Sequence, residues 1–429
     1  MKYVQLLASV TLVLLPVYLI RCKSFAWCRS PVPLTLLEVL ILATFVAWIF
    51  WKVSQVRKGT TSGQSVFRGL TGPLFWPLVT FLIFATVSVF IAPDLRMAAG
   101  IWKAYFIEPA ILFIVVADLT TFKKSLTWAV LPILFSGLWV SLLAIWQAAT
   151  GTNQFAPYAI AQGRVSSIYS TPNAIGLYVG PLALLALGCL VELYRRKKIS
   201  LKKFGLPLYL ALCIATFILA IYLSKSRGAI LGISVSLLVF AISALYLNLP
   251  NFFRRLLQLG FLFAVFVYLL LNIVVFVKID NFVAAYKPAQ QDSIEARFCM
   301  WQATRNLLAD RPITGAGLAA YQETYPSYAT CYEEAQLYPH NIFLNFWTEI
   351  GFFGMVAFLW ICFVSFKILE RSFKNFIPVG LFSALVYIFA HGLVDVPYFK
   401  NDLAVEFWLL LALISYISLQ SKINSRLLY

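Results

Sequence analysis

Charge is scarce in this chain. Of its 429 residues, 12% are Asp, Glu, Lys or Arg, and 61% are hydrophobic. A soluble domain of this size needs more polar cover than that. Acids number 17 against 34 bases, and histidine occurs twice, as His340 and His391. There is no Asp-x-Asp to hold a metal-bound nucleotide sugar and no P-loop for ATP. Two histidines with scattered cysteines give no zinc spacing, so neither a metal nor a cofactor is expected. No internal repeat appears either, whereas a transporter of this size usually shows two related halves.

Apolar runs take the place of what is missing. Runs of about 20 apolar residues suit membrane helices, whereas a membrane barrel shows alternating segments of about ten. The pattern predicts an all-α polytopic membrane protein of about twelve helices, with no separate soluble domain. They fall near 3–20, 34–51, 73–92, 101–117, 126–148, 174–194, 206–223, 228–248, 256–277, 342–366, 378–397 and 403–419. No small-x-small cleavage site follows the first run, so it is expected to remain as a span rather than leave as a signal peptide.

The net charge of +17 fits loop anchoring by the positive-inside rule and does not imply nucleic acid. With the N-terminus in the cytoplasm, the inside segments hold 20 basic residues and the outside ones 9, leaving out five in a long loop. Both termini are therefore expected inside. The long polar loop, residues 278–341 between spans nine and ten, is expected outside. Cys22 and Cys28 share the first outside loop, and Cys299 and Cys331 the long one. Oxidising surroundings permit both pairs to form disulfides.

Polar residues at the outer ends of spans need a reason, because a charge at helix centre costs about 2.5–3.5 kcal/mol on the insertion scale. Arg164 and Asn173 flank the start of span six, with Ser170 or Thr171 available as its cap. Arg164 either faces an anion near that helix N-terminus or is a solvated loop arginine. Lys225 and Arg227 sit in a short turn, where they meet a ligand or snorkel to headgroups, and Gly228 allows close packing at the next helix start. Arg297, Met300, Trp301, Arg305 and Leu308 have helical spacing and predict a surface amphipathic helix, with Trp301 at headgroup level in the anchoring alternative. Arg311 closes that helix, and Gly315 and Gly317 are expected to make a flexible turn. Asn341, Asn345 and Glu349 recur every four residues and form a polar stripe that must face protein or a water-filled cavity. His391 and Asp395 are also four apart, so that the aspartate would orient the imidazole; the alternative is a structural knot between the last two helices.

The order of these segments resembles the O-antigen ligase and O-antigen polymerase superfamily of bacterial envelope glycosyltransferases. The likeness rests on GRVSSIYSTPNAIG, SKSRGAILG, ARFCMWQATRNLLADRPITGAGLAAY, YPHNIFLNFWTEIGFFG and HGLVDVPYFKND, and spans about residues 90–415. It implies a GT-C-like membrane fold and a multi-pass protein of the bacterial inner membrane. The donor would be a glycan on undecaprenyl pyrophosphate and the acceptor a glycan or glycolipid, with metal-free transfer on the extracytoplasmic side, partly in the 278–341 loop. Ligation is the first expectation and polymerisation of the same lipid-linked glycan the alternative; a transporter or flippase is a weaker third. Carried over by position, Arg164, Arg227 and Arg297 would hold phosphate and His340 would be the base. A pyrophosphate beside His340 favours the imidazolium, so His340 acts either as base or as phosphate ligand. Lys225, Asn173, Arg311, Asn341, Asn345, Glu349, His391 and Asp395 complete the expected substrate-binding set.

Overall fold

In the computed structural model, residues 1–20, 34–58, 72–123, 125–196, 204–247, 278–279, 283, 293–331 and 336–426 are described. Helix dominates them, and no strand occurs among them. The membrane-type helices are α1 (Lys2–Val13), α2 (Leu36–Arg57), α3 (Phe75–Ile91), α4 (Leu95–Trp102) running through a π turn at Lys103–Ile107 into α5 (Glu108–Lys123), α6 (Thr127–Thr150), α8 (Asn173–Arg195), α9 (Gly205–Ser224) and α10 (Arg227–Tyr246), followed by α13 (Ile342–Arg371), α14 (Phe376–Gly392) and α15 (Asn401–Arg426). A one-turn helix α7 (Pro157–Ala161) precedes α8, while α11 (Ser293–Asp310) and α12 (Tyr321–Thr324) belong to the long loop.

Eleven of the twelve expected spans fall on described helices, and the expected span at 256–277 lies outside the described residues. Among the described residues, eight segments are long and apolar enough to cross a membrane, while α1, α3 and α14 are shorter. The sequence-based count of twelve therefore goes beyond what these helices establish. The expected fourth span starts earlier, at Leu95, where Asp94 accepts from the Arg96 and Met97 amides. The expected eleventh span stops at Gly392, so Asp395 sits in a turn and not in a helix.

α8 lies at the centre, packed on α14, α9 and α10; α13 packs on α3, and α15 on α5. Small residues let α8 and α14 touch backbone to backbone. A Cβ on Gly188 would stand 2.8 Å from Gly380 Cα, and one on Gly380 would stand 2.7 Å from the Leu184 carbonyl. Nearer the other end of the same pair, the Tyr387 hydroxyl donates to the Gly176 carbonyl at 2.8 Å. These contacts fix the start of α8 against the end of α14, where the polar residues gather.

The described part of the long loop is folded. Along α11, Cys299, Met300, Ala303, Thr304, Leu307 and Leu308 form one buried helical face. Met300 and Ala303 pack with Tyr321 and Tyr325, and Leu307 and Leu308 with Ala316 and Ala320. The Trp301 indole N–H donates to the Pro339 carbonyl at 2.9 Å and so ties α11 to the loop exit. A Cys299–Cys331 disulfide closes the unit, as the shared loop suggested; the Cys22 and Cys28 pair lies outside the described residues.

The expected flexible turn at Gly315 and Gly317 is instead a docked one. α13 breaks at Gly351, which has φ 75° and ψ 173°, a backbone state open only to glycine. That break exposes backbone groups which the loop satisfies. The Ala316 amide donates to the Thr348 carbonyl at 2.8 Å, and the Phe352 amide to the Ile313 carbonyl at 2.9 Å. A Cβ on Gly315 would come within 2.4 Å of the Thr348 and Trp347 carbonyls, so close approach explains this glycine.

Candidate active site at the 391–395 turn

The turn after α14 draws in, directly or through Asn173, side chains from four segments distant in sequence. Asp395 is 3% exposed and is the anionic centre. Its Oδ1 lies 3.3 Å from His340 Nδ1 and accepts from the Val396 amide at 2.9 Å, while Oδ2 faces Asn173 Nδ2 at 3.4 Å. Arg164 donates from Nη2 to Asn173 Oδ1 at 2.8 Å and from Nε to the Ser224 carbonyl at 2.8 Å. Arg297 Nε donates to the Val394 carbonyl at 2.8 Å, and Asn341 Nδ2 to the Leu393 carbonyl at 3.2 Å.

The sequence spacing pairs Asp395 with the wrong histidine. His391 Nδ1 meets the Tyr387 hydroxyl at 3.2 Å, and that hydroxyl's one proton goes to the Gly176 carbonyl. His391 therefore donates from Nδ1 and is satisfied within the bundle. Its ring packs beside Gly228, where a Cβ would stand 2.8 Å from His391 Cδ2, as the close-packing expectation for that glycine required. Asp395 orients His340 across 55 residues of chain instead.

That pairing fixes the tautomer of His340. A carboxylate only accepts, so Nδ1 carries the proton toward Asp395 and Nε2 keeps its lone pair. Among the described residues Nε2 has no hydrogen-bond partner. His340 also sits at φ 50°, a left-handed state that costs roughly 1–2 kcal/mol for a non-glycine residue. Its neighbours impose that state. Trp301 holds Pro339, Asn341 caps α13 through the Phe343 and Leu344 amides, and the Tyr338 ring stands edge-on 5.1 Å from the imidazole.

Burial opposes ionisation of Asp395, but the hydrogen bond and charge of His340, the nearby His391 and the Val396 amide outweigh it. They hold its carboxyl below the usual range. Burial pushes the Arg164 guanidinium down from its ordinary value, against the pull of Tyr158. A half-buried cation of this kind is stabilised by an arriving anion. Lys225 adopts φ 50° at the end of α9 and has no carboxylate partner among the described residues; its Nζ would lie 3.1 Å from a Cβ on Gly163. Arg227 opens α10, whose cap is Ser226, with its hydroxyl accepting from the Ala229 amide.

Not every expected residue joins. Arg311 lies 14 positions beyond Arg297 at the far end of α11, about 21 Å along the axis at 1.5 Å per residue, and is exposed. Glu349 lies two turns into α13 and accepts from the Ala319 amide at 2.5 Å, so it braces the loop. Asn345, one turn from Asn341, is buried with neither amide atom partnered. Ser170 and Thr171 do not cap α8, which starts behind Pro172 without a side-chain cap. Tyr169 was not singled out by sequence. Its hydroxyl donates to Asp402 Oδ2 at 2.8 Å, and Lys400 Nζ lies 5.8 Å from its ring. Burial lowers the pKa of Lys400, which Asp402 and Asp395 oppose. Among the described residues, no three of His, Cys, Asp and Glu come together in a group able to hold a metal ion.

Apolar helices in this number define a class, a multi-pass helical membrane protein, and here a histidine oriented by a carboxylate and several cations lie at one end of the bundle. The comparison with known families narrows it. A family model described as O-antigen ligase matches residues 209–359, which supports membership of the chain in the O-antigen ligase/polymerase superfamily and points to a glycosyltransferase-like enzyme. No curated protein matches the chain. The matched span holds Arg227, Arg297 and His340; Arg164 and Asp395 lie outside it yet reach the same turn.

Proposed function

We propose that the chain moves an oligosaccharide or polysaccharide from undecaprenyl pyrophosphate to an acceptor sugar, in the manner of an O-antigen ligase on a GT-C-like fold. The observation that carries this reading is His340, held by Asp395 through Nδ1 with Nε2 unpartnered among the described residues, beside Arg164 and Arg297. The acceptor hydroxyl gives its proton to Nε2, and its oxygen bonds to the donor's anomeric carbon. The bond from that carbon to the pyrophosphate oxygen breaks, and undecaprenyl pyrophosphate leaves with the electron pair. That leaving group needs no general acid. It needs positive charge, which Arg164, Arg227, Arg297 and Lys225 supply without a metal. Asn173 and Asn341 shape the turn that carries them.

The far end of the bundle bears Lys52, Arg57, Lys123, Arg195, Arg196, Lys367, Arg371 and Lys374. Positive charge favours the cytoplasm, so the histidine end and the 278–341 loop face outward from a bacterial inner membrane, with both termini inside. The alternative, a polymerase extending the lipid-linked glycan, uses the same residues. Purified protein given a polyprenyl-pyrophosphate-linked oligosaccharide, with either a lipid A–core glycolipid or a second lipid-linked glycan, separates the two. Ligation yields a lengthened glycolipid with release of the polyprenyl pyrophosphate. Consumption of donor with neither acceptor contradicts transfer altogether.

A further inference from the structure

We infer that the opposite end of the bundle holds a second binding site, a pocket for the phosphate of an anionic phospholipid. A cavity of about 230 Å³ opens there between the ends of α8, α13, α14 and α15. Three bases line it: Arg196 beyond α8, Arg371 at the end of α13, and Lys374 in the connection to α14. The 20 residues of α13 beyond its break at Gly351 span roughly 30 Å by themselves, so this pocket is far from His340 and is no part of the site described above.

Charge in the pocket is unbalanced. Glu192 serves Arg195 and Arg196 together and also accepts from the Phe376 amide at 2.9 Å. The nearby Glu370 lies 3.7 Å from Lys367. Arg371 and Lys374 have no carboxylate partner among the described residues. The polar rim also offers Ser372, Asn375, Gln420 and Ser421. The rest of the wall is apolar, from Leu126, Ile377, Pro378, Tyr416 and Ile417, and these residues belong to or adjoin membrane-type helices. A free phosphate has no use for that wall. A phospholipid uses both halves, with its phosphodiester on the bases and its glycerol and first methylenes on the apolar side. Basic pockets between membrane helices suit such headgroups, and each base near the surface strengthens the attraction about fivefold.

Native mass spectrometry of the full-length protein in an uncharged detergent tests this with three probes: phosphatidylglycerol, phosphatidylcholine and inorganic phosphate. Phosphatidylglycerol is expected to bind at one preferred site, well above phosphatidylcholine. R371Q/K374Q should weaken that binding roughly thirtyfold, while K58Q, an exposed base away from the pocket, should leave it unchanged. Monodisperse elution of each variant shows that it is folded. Equal binding of phosphatidylcholine, equal binding in R371Q/K374Q, or displacement of the lipid by millimolar phosphate would each overturn the inference. Because the readout is lipid binding and not transfer, its failure leaves the glycosyltransferase reading intact, and the converse also holds.

Discussion

Lys52 and Asp118 face each other at 2.6 Å, and Trp48 donates its indole N–H to the same carboxylate at 2.9 Å. The Trp51 ring centroid lies 5.2 Å from the lysine, so one positive and one negative charge are enclosed by protein. At the other end of the bundle, Asp395 is one carboxylate among His340, Arg164, Arg297 and Lys225. There Arg164 donates to a carbonyl and an amide oxygen, not to a carboxylate. The first group is neutral and closed. The second is rich in cations and built from segments that converge from across the chain. Burying charge is costly, and Arg164 and Lys225, which have no carboxylate partner among the described residues, would be stabilised by an arriving anion. The contrast separates a structural ion pair from a candidate binding site: Lys52 and Asp118 are both buried, whereas in the second group Asp395 is buried, His340, Arg164 and Arg297 are partly buried and Lys225 is exposed.

Exchanging one aspartate for asparagine in each group breaks that comparison most sharply. Asp395→Asn should lower transfer about 10²-fold or more at normal protein levels, since His340 loses the partner that sets its tautomer. Asp118→Asn should do the reverse, costing about 3–5 kcal/mol of stability by leaving Lys52 unpaired, with transfer per folded molecule unchanged. Thermal unfolding and single-turnover assays on both variants read the two effects separately. Next in size, Cys299→Ser should release the loop closure and cost about 3 kcal/mol, seen as faster proteolysis between residues 299 and 331 in the variant. Arg227→Lys keeps the charge but loses the planar two-point contact with phosphate, and about tenfold slower transfer is expected, a single phosphate contact of about 1.4 kcal/mol. A snorkelling role predicts no change. The smallest effect should come from Arg311→Gln. With Arg311 about 21 Å along α11 from Arg297, transfer should stay within about twofold of normal.

Helix positions were legible because long apolar runs have few alternatives in a membrane. Much of the candidate site was legible too: of the expected residues, His340, Asp395, Arg164, Asn173, Arg297 and Asn341 come together at one turn. Their pairing was not. The four-residue spacing of His391 and Asp395 points to a local contact, but α14 ends at Gly392 and turns the aspartate toward His340. Helical spacing likewise made α11 look like an interfacial helix, because a face buried on protein and a face buried in lipid have the same pattern. The break at Gly351 is what brings the 313–317 segment onto α13, and a glycine inside an apolar run gives no sign of it. Arg311 joined the expected set by residue type alone, and distance along the helix removes it.

The central claim is that His340, oriented by Asp395, takes the acceptor's proton. Donor binding and single-turnover transfer by His340→Ala across about pH 5.5–8.5, where imidazoles titrate, test it most directly. Asp395 is held below the usual carboxylate range and stays ionised over this window, so a break in the native profile there does not belong to it. A base must be deprotonated, so native activity should rise with pH, and His340→Ala should lose roughly 10²–10⁴-fold in turnover while keeping donor affinity. Unchanged turnover in His340→Ala would contradict the account, as would native activity that falls with rising pH together with lost donor binding in the variant.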